Sequence, residues 1–585
     1  MTDRKPERTD AETAARPTPI RGWAELLHTE DYWAVWLGLI LIVAALLVYL
    51  PRPPADMAST LADANGVMEE EASAAPLRTV AWYEALDAKA GLKGTAEPHG
   101  KTLTRLMAKP HGWRDNPLHA LIGDEARAAR LREAAAAGAA ARAASAAAAR
   151  TAALEAEAIA RAAGFGDEAL NETARARVAA WRDARSAAAA AAKKARAGAY
   201  NRLPGLAAVC AVLALLFGFG LRFLGVPFWR FVRGFVFVFA IAVLAYMASQ
   251  QALMREYGIG YAAWAILFGM LISNTVGTPG WVAPAVQTEF FIKTGLVLLG
   301  AEILFGKIVT IGIPGIFVAW LVTPTVLIFG FIIGDRWLKV PSKTLNVTIC
   351  AAASVCGVSA AIATATACRA KKEELTLAVG LSLIFTSLMM IGMPAFIKAL
   401  GMGQVLGGAW MGGTIDATGA VAAAGAFLGE KALYTSATIK MIQNVMIGAV
   451  AFFVALYWTM RVERRDGATV GAMEIWYRLP KFVLGFIGVS IVFSVIYALM
   501  GNDAGHTLID HGVIRGGTKL LRGWMFCLAF VSIGLATNFR ELAEQFKGGK
   551  PLTLYAGTQG FNLVLTLLIA WLSFYVVFPH ITEKI

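Results

Sequence analysis

Asp416 stands in "WMGGTIDATGAVAAAG" (410–425), a carboxylate among Gly, Ala, Thr and Val. A charge held in hydrocarbon costs about 2.5–3.5 kcal/mol even on the lenient insertion scale, so such a residue faces protein or water and has a partner or a proton. Thr414 and Thr418 flank the acid, and Gly412, Gly413 and Gly419 let other backbone approach. Carboxylate, hydroxyls and carbonyls could therefore ring a small cation, or desolvation could leave Asp416 carrying a proton. A buried hydrogen bond to a neighbouring helix is the structural alternative. Two further charges lie in apolar runs: Lys440 in "ATIKMIQNVMIGAV" (437–450), with Gln443 and Asn444 one turn on, and Glu302 in "GLVLLGAEILFG" (295–306). Glu302 and Lys440 could meet as an ion pair or serve transport.

The elements that carry these residues are apolar helices. Hydrophobic residues make up 57% of the 585 and charged residues 16%, with a mean hydropathy of +0.57, far from a soluble composition. Blocks at 32–50, 205–224, 234–250, 259–275, 289–306, 312–334, 345–368, 374–398, 405–427, 434–459, 480–499, 520–537 and 553–578 predict an all-α membrane protein of about 13 transmembrane helices. The net charge of +13 sits mainly in loops and one Ala-rich segment without nucleic-acid motifs, which points to lipid headgroups and the bilayer as partner, with no nucleic acid. The five cysteines lie in hydrophobic segments and lack metal-type spacing, so neither a disulfide framework nor a metal site is expected. No hydrolase, redox or nucleotide-binding constellation appears. The chain is expected not to be an enzyme, to need no cofactor, and to draw on H+ or Na+ gradients.

A polar lead (1–31) precedes the first helix, and residues 51–204 form a soluble insert. Within it, 124–198 is rich in Ala, Arg and Glu, strong helix formers, and is interrupted at "GFGDEA" (164–169). An alanine-lined helical hairpin, a coiled coil acting as spacer or oligomerisation arm, follows from that pattern. Asn171-Glu172-Thr173 matches a glycosylation sequon.

Two helices fill 205–250, and the last ten blocks divide into inverted repeats of five helices at 259–400 and 401–585. Basic loops containing Arg222, Arg336, Arg464 and Arg540 fall on one side, the cytoplasm by the positive-inside rule, which leaves the insert outside. The "RAKKEE" loop (369–374) and the stretch Arg515 to Arg522 fit this orientation poorly. The fourth member of each half is rich in small residues: 345–368 and 525–542. Crossed broken helices there would expose N–H groups to an anion near Cys356, Gly357, Ser359, Ser532 and Gly534. Tight helix–helix contact is the other reading of those small residues.

The strings "SVCGVSAAIATATA" (354–367), "GAWMGGTIDATGAVAAAGA" (408–426), "KMIQNVMIGAVAF" (440–452) and "TGLVLLGAEILF" (294–305) resemble the YeiH-like sulfate exporter family of bacterial inner-membrane transporters. "EDYWAVWLGL" (30–39) resembles the start of its longer members; the Ala-rich insert lies outside the likeness. The resemblance implies a fold like the bile-acid symporters and cation–proton antiporters, with panel and core domains, and a homodimer is expected. It also implies a secondary transporter of sulfate or an organosulfonate. Shorter members carry arginines at the place of Glu302 and near Gln443; here Lys440, Gln443 and Asn444 would take up the anion, with Asp416, Thr414, Thr418 and Glu302 on the coupling ion. A cation–proton antiporter, or a scaffold whose hairpin recruits a partner, are the competing functions.

Overall fold

A computed structural model describes residues 24–256, 259–303, 305–458, 480–538 and 549–582. The first 23 residues of the polar lead, and Arg461, Arg464, Arg465, Arg540 and Lys547 of the basic loops, lie outside these. The protein is an all-α membrane protein: 84% is helical, and among the described residues ten helices are long and apolar enough to cross a bilayer. The blocks at 259–275, 289–306 and 405–427 correspond to shorter helices, Tyr261–Thr275, Thr288–Glu302, and the pair Gln404–Thr414 and Thr418–Leu428.

The insert folds around more than one hairpin. Glu125–Ala162 and Glu168–Ala195 run antiparallel about a turn in which Gly164 and Phe165 take φ of +58° and +55°. Asp167 caps the second helix by accepting from the Ala169 and Leu170 amides. Alanine alone leaves this hairpin little core, and a second pair, Met57–Ala74 and Val80–Gly91, adds to it through Leu77 of their connection and Val80 and Tyr83. Val80, Ala153, Val178 and Trp181 pack together, and Leu77, Ala160 and Ala174 pack beside them. The Glu157 carboxylate, its proton affinity raised by burial, accepts from the Val80 amide at 2.6 Å. Asn171 is 2% exposed, with its amide donating to Phe165 O at 2.9 Å. The sequon is therefore a packed helix residue rather than an accessible acceptor, because the side chain closes the hairpin turn.

One side of the membrane region is built on aromatic packing. Glu30–Tyr49, Leu203–Phe223, Phe228–Ser249, Thr288–Glu302 and Lys519–Ala536 share a core containing Trp33, Phe217, Phe235, Phe290, Phe291 and Trp524. Tyr261–Thr275 crosses Lys519–Ala536 so closely that a Cβ on Gly534 would overlap Ile266 O, and one on Gly269 would stand 2.6 Å from Val531 O. Ser273 Oγ bonds Gly534 O at 3.0 Å and Thr537 O at 2.6 Å. Within 525–542 the helix runs unbroken through Ser532 and Gly534 and ends at Ala536, where Thr537 turns to extended backbone (φ −94°, ψ 103°); residues 539–548 lie outside the described residues. Lys519–Ala536 is one uninterrupted helix, Gly534 is a packing contact, and Ser532 is bonded within its own helix to Leu528 O at 2.8 Å. Its small residues are used for approach, not for rupture.

The same helix resolves the ill-fitting basic stretch. Gly505–Thr518 is π-helical and runs directly into Lys519–Ala536, so Arg515, Lys519 and Arg522 belong to one rod rather than to a loop. Arg522, 4% exposed, forms a fork with Glu302: Nε to Oε1 at 2.6 Å and Nη2 to Oε2 at 2.9 Å. The anticipated Glu302–Lys440 pair does not form. Glu302 neutralises Arg522, and Lys440 is engaged elsewhere.

Candidate functional site

Among the described residues two broken helices stand together, separated by a single helix, Lys372–Ala399. The first is Lys343–Ala351, which widens into a π turn over Ala352–Cys356 and restarts as Gly357–Cys368. The second is Gln404–Thr414 and Thr418–Leu428, joined by extended backbone with Ile415 at φ −70°, ψ 128° and Ala417 at φ −101°, ψ 134°. The second break thus falls on Asp416, two helices after the first rather than five, so the two breaks are not the matching fourth members of the five-helix division.

The breaks touch at Gly357. A Cβ there would overlap Ser382 Oγ and lie 3.3 Å from Asp416 Cβ. Gly357→Ala is expected to abolish the native crossing, seen as loss of monodisperse protein in detergent. Ser382→Ala in the same chain should restore part of the yield, because it removes the overlapping hydroxyl and leaves the next contact at 3.2 Å. No restoration would mean that the close approach is not what requires glycine.

Each half-helix end carries about half a unit charge, positive at its N-terminus and negative at its C-terminus. The negative ends are satisfied by side chains. Lys440, fully buried, donates to Val355 O at 2.5 Å and to Gln443 Oε1 at 2.7 Å. Gln443 Nε2 reaches Ser354 O at 3.1 Å and Gly413 O at 3.0 Å, so one Lys–Gln unit ties both breaks. From the opposite side, the Lys550–Trp571 helix contributes Gln559 to Thr414 O at 2.9 Å and Asn562 to Ala353 O at 3.0 Å. Its Tyr555 hydroxyl bonds the carboxylate of Asp416, itself 1% exposed.

The positive ends are treated differently. Neither Gly357–Cys368 nor Thr418–Leu428 has a side-chain cap. Both open on a cavity of about 530 Å³, where Cys356 and Ser359 of one meet Ala417 and Thr418 of the other. Asn444 Nδ2 donates to Thr418 Oγ1 at 3.1 Å. Asn444 and Thr386 also line the cavity, and Asn444 Oδ1 and Thr386 Oγ1 have no hydrogen-bond partner among the described residues, although these side chains are 1% and 6% exposed. Buried polar atoms without partners point to a missing ligand or water.

The structure brings together Cys356, Gly357, Ser359, Asp416, Thr418, Lys440, Gln443 and Asn444. It does not bring Thr414 and Thr418 round one cation with Asp416: Thr418 faces the cavity, whereas Thr414 ends the preceding half-helix with its carbonyl on Gln559. Glu302 lies with Arg522, while Ser532 and Gly534 yield the cavity wall to their neighbours Ile533, Ala536 and Thr537. The sequence reading missed Tyr555, Gln559, Asn562 and Thr566. Their spacing of four, three and four puts a polar stripe on one face of an otherwise apolar helix. That period was the available signal.

A multi-pass α-helical membrane protein, with two broken helices meeting beside a buried acid and a buried lysine, is the class that this architecture defines. The chain belongs to the UPF0324 family of membrane proteins, and the family described as Conserved hypothetical protein 698 matches residues 233–555. A UPF0324 membrane protein of Nitratidesulfovibrio vulgaris is 55% identical over 562 residues, 96% of this chain and 97% of that protein, so the likeness runs through the insert. One from Rhodopirellula baltica is 57% identical over 375 residues, 64% of this chain and 68% of its own. One from Pseudomonas aeruginosa is 23% identical over 353 residues, 59% of this chain and 92% of its own. No solved structure matches.

Proposed function

We propose that this protein is a secondary active transporter of a small anion, of the sulfate or organosulfonate class, coupled to protons at Asp416. It sits in the bacterial inner membrane with its insert on the extracytoplasmic face, an orientation that most of the basic loops support. The observation that carries the reading is the asymmetry of the crossing. Side chains compensate the negative half-helix ends, while both positive ends are left uncapped at a cavity with unpartnered polar atoms. Such N-termini are anion sites. Na+ at Asp416 fits less well, because Lys440, Gln443 and Gln559 already occupy the carbonyls at the half-helix ends that would attract a cation. Access alternates by movement of the broken-helix core against the aromatic-packed side.

The test is flux of labelled sulfate and small sulfonates into proteoliposomes under imposed pH and Na+ gradients. Cys356 provides an independent readout, since it is the cysteine that lines the cavity among those described. Its modification by a small thiol reagent, followed by mass spectrometry, should slow severalfold when a transported anion is present. Proton movement driven by Na+ alone, with no anion transported and none protecting Cys356, would sink the anion reading in favour of an antiporter.

A further inference from the structure

We infer that the substrate is a small zwitterion, carrying an ammonium group beside its anionic end; this rests on the anion-transport reading above. The cavity is not uniformly suited to an anion. Three charged residues line it: Asp31, Glu289 and Lys293. Lys293 is committed to Glu30 Oε1 at 2.7 Å and Asp31 Oδ1 at 2.9 Å. Glu289, in the first turn of Thr288–Glu302, is exposed and feels the Lys293 charge one turn away, but makes no hydrogen bond or ion pair of its own among the described residues. The wall therefore bears one more acid than base.

A lone oxoanion answers only half of this lining. It suits the uncapped N-termini of Gly357–Cys368 and Thr418–Leu428 and the Thr386 hydroxyl. It would meet repulsion at Glu289, and it can donate nothing to Asn444 Oδ1, a buried acceptor already without a donor. An ammonium supplies donors and the opposite charge to such acceptors. At about 530 Å³ the cavity also exceeds what a four-oxygen anion fills. A primary amine with a sulfonate or carboxylate a few bonds away meets both demands in one molecule.

The experiment uses the full-length protein in proteoliposomes, with taurine, isethionate, β-alanine and sulfate as probes. Taurine and isethionate differ only in an ammonium against a hydroxyl, while taurine and β-alanine share the amine and differ in the anion. Taurine is expected to be transported at least tenfold more efficiently than isethionate. Glu289→Gln should erase that preference, lowering taurine flux while isethionate flux rises as the repulsion is removed. Comparison of taurine with β-alanine then identifies the anionic end. Equal handling of taurine and isethionate by the parent, or a Glu289→Gln loss of the same factor on both, would overturn the zwitterion while leaving anion transport standing. Silence with all four probes, together with unprotected Cys356, would instead remove the transport reading beneath it.

Discussion

Asp416→Asn is expected to abolish proton-driven flux, taking it to the leak of protein-free vesicles, a fall of about 100-fold or more, as is typical when a proton-transferring group is removed. Asparagine keeps the size of the side chain and an oxygen for the Tyr555 hydroxyl, so the crossing should still form. What it loses is the capacity to gain and release a proton in a site closed to bulk water. Cys356 should remain protected by substrate in this variant, because the uncapped half-helix ends are untouched. Loss of flux with protection retained identifies Asp416 as the coupling group. Undiminished flux under a pH gradient would reduce Asp416 to a hydrogen-bond partner of Tyr555 and move the coupling elsewhere.

Lys440→Met is expected to destabilise the folded protein by about 1–3 kcal/mol, the usual cost of leaving a buried acceptor unsatisfied. Methionine fills much of the same volume without a donor. Val355 O and Gln443 Oε1 would lose their bonds of 2.5 and 2.7 Å, and the negative ends of two half-helices would lose the charge that offsets them. The measurement is thermal or denaturant unfolding of purified protein in detergent, beside the parent. Lys440→Arg should fall between the two, keeping the charge but exceeding the space around a fully buried side chain. A midpoint for Lys440→Met within the range of a surface substitution would show that the lysine is not what holds the crossing.

These expectations separate two jobs that the sequence could not divide between the two residues. Both stand in apolar runs, and both had to be explained by a partner or a proton. The partners lie far along the chain: Tyr555 is 139 residues from Asp416, and Val355 is 85 from Lys440. Hydropathy and small-residue content see neither separation. For the same reason the second break was assigned to 525–542, where Gly534 and Ser532 look as permissive as the glycines around Asp416. The outcome differs because Tyr261–Thr275 packs on Gly534, whereas Gln559 and Gln443 meet the backbone around Asp416 with hydrogen bonds and Tyr555 meets its carboxylate. Glu302 was linked to the wrong cation because Arg522 reads as part of a polar stretch until the π-helical segment before it is seen to continue the rod.

Local composition by itself determined that the chain is a helical membrane protein, that an Ala-rich hairpin turns near Gly164, and which embedded polar residues need explanation. Those are properties of a residue and its near neighbours: transfer free energy, helix propensity and capping. Only the tertiary structure decided where a helix stays whole and where it breaks. A broken helix survives in hydrocarbon only if other segments satisfy the backbone groups it frees, and which segments arrive is settled by packing across the whole fold.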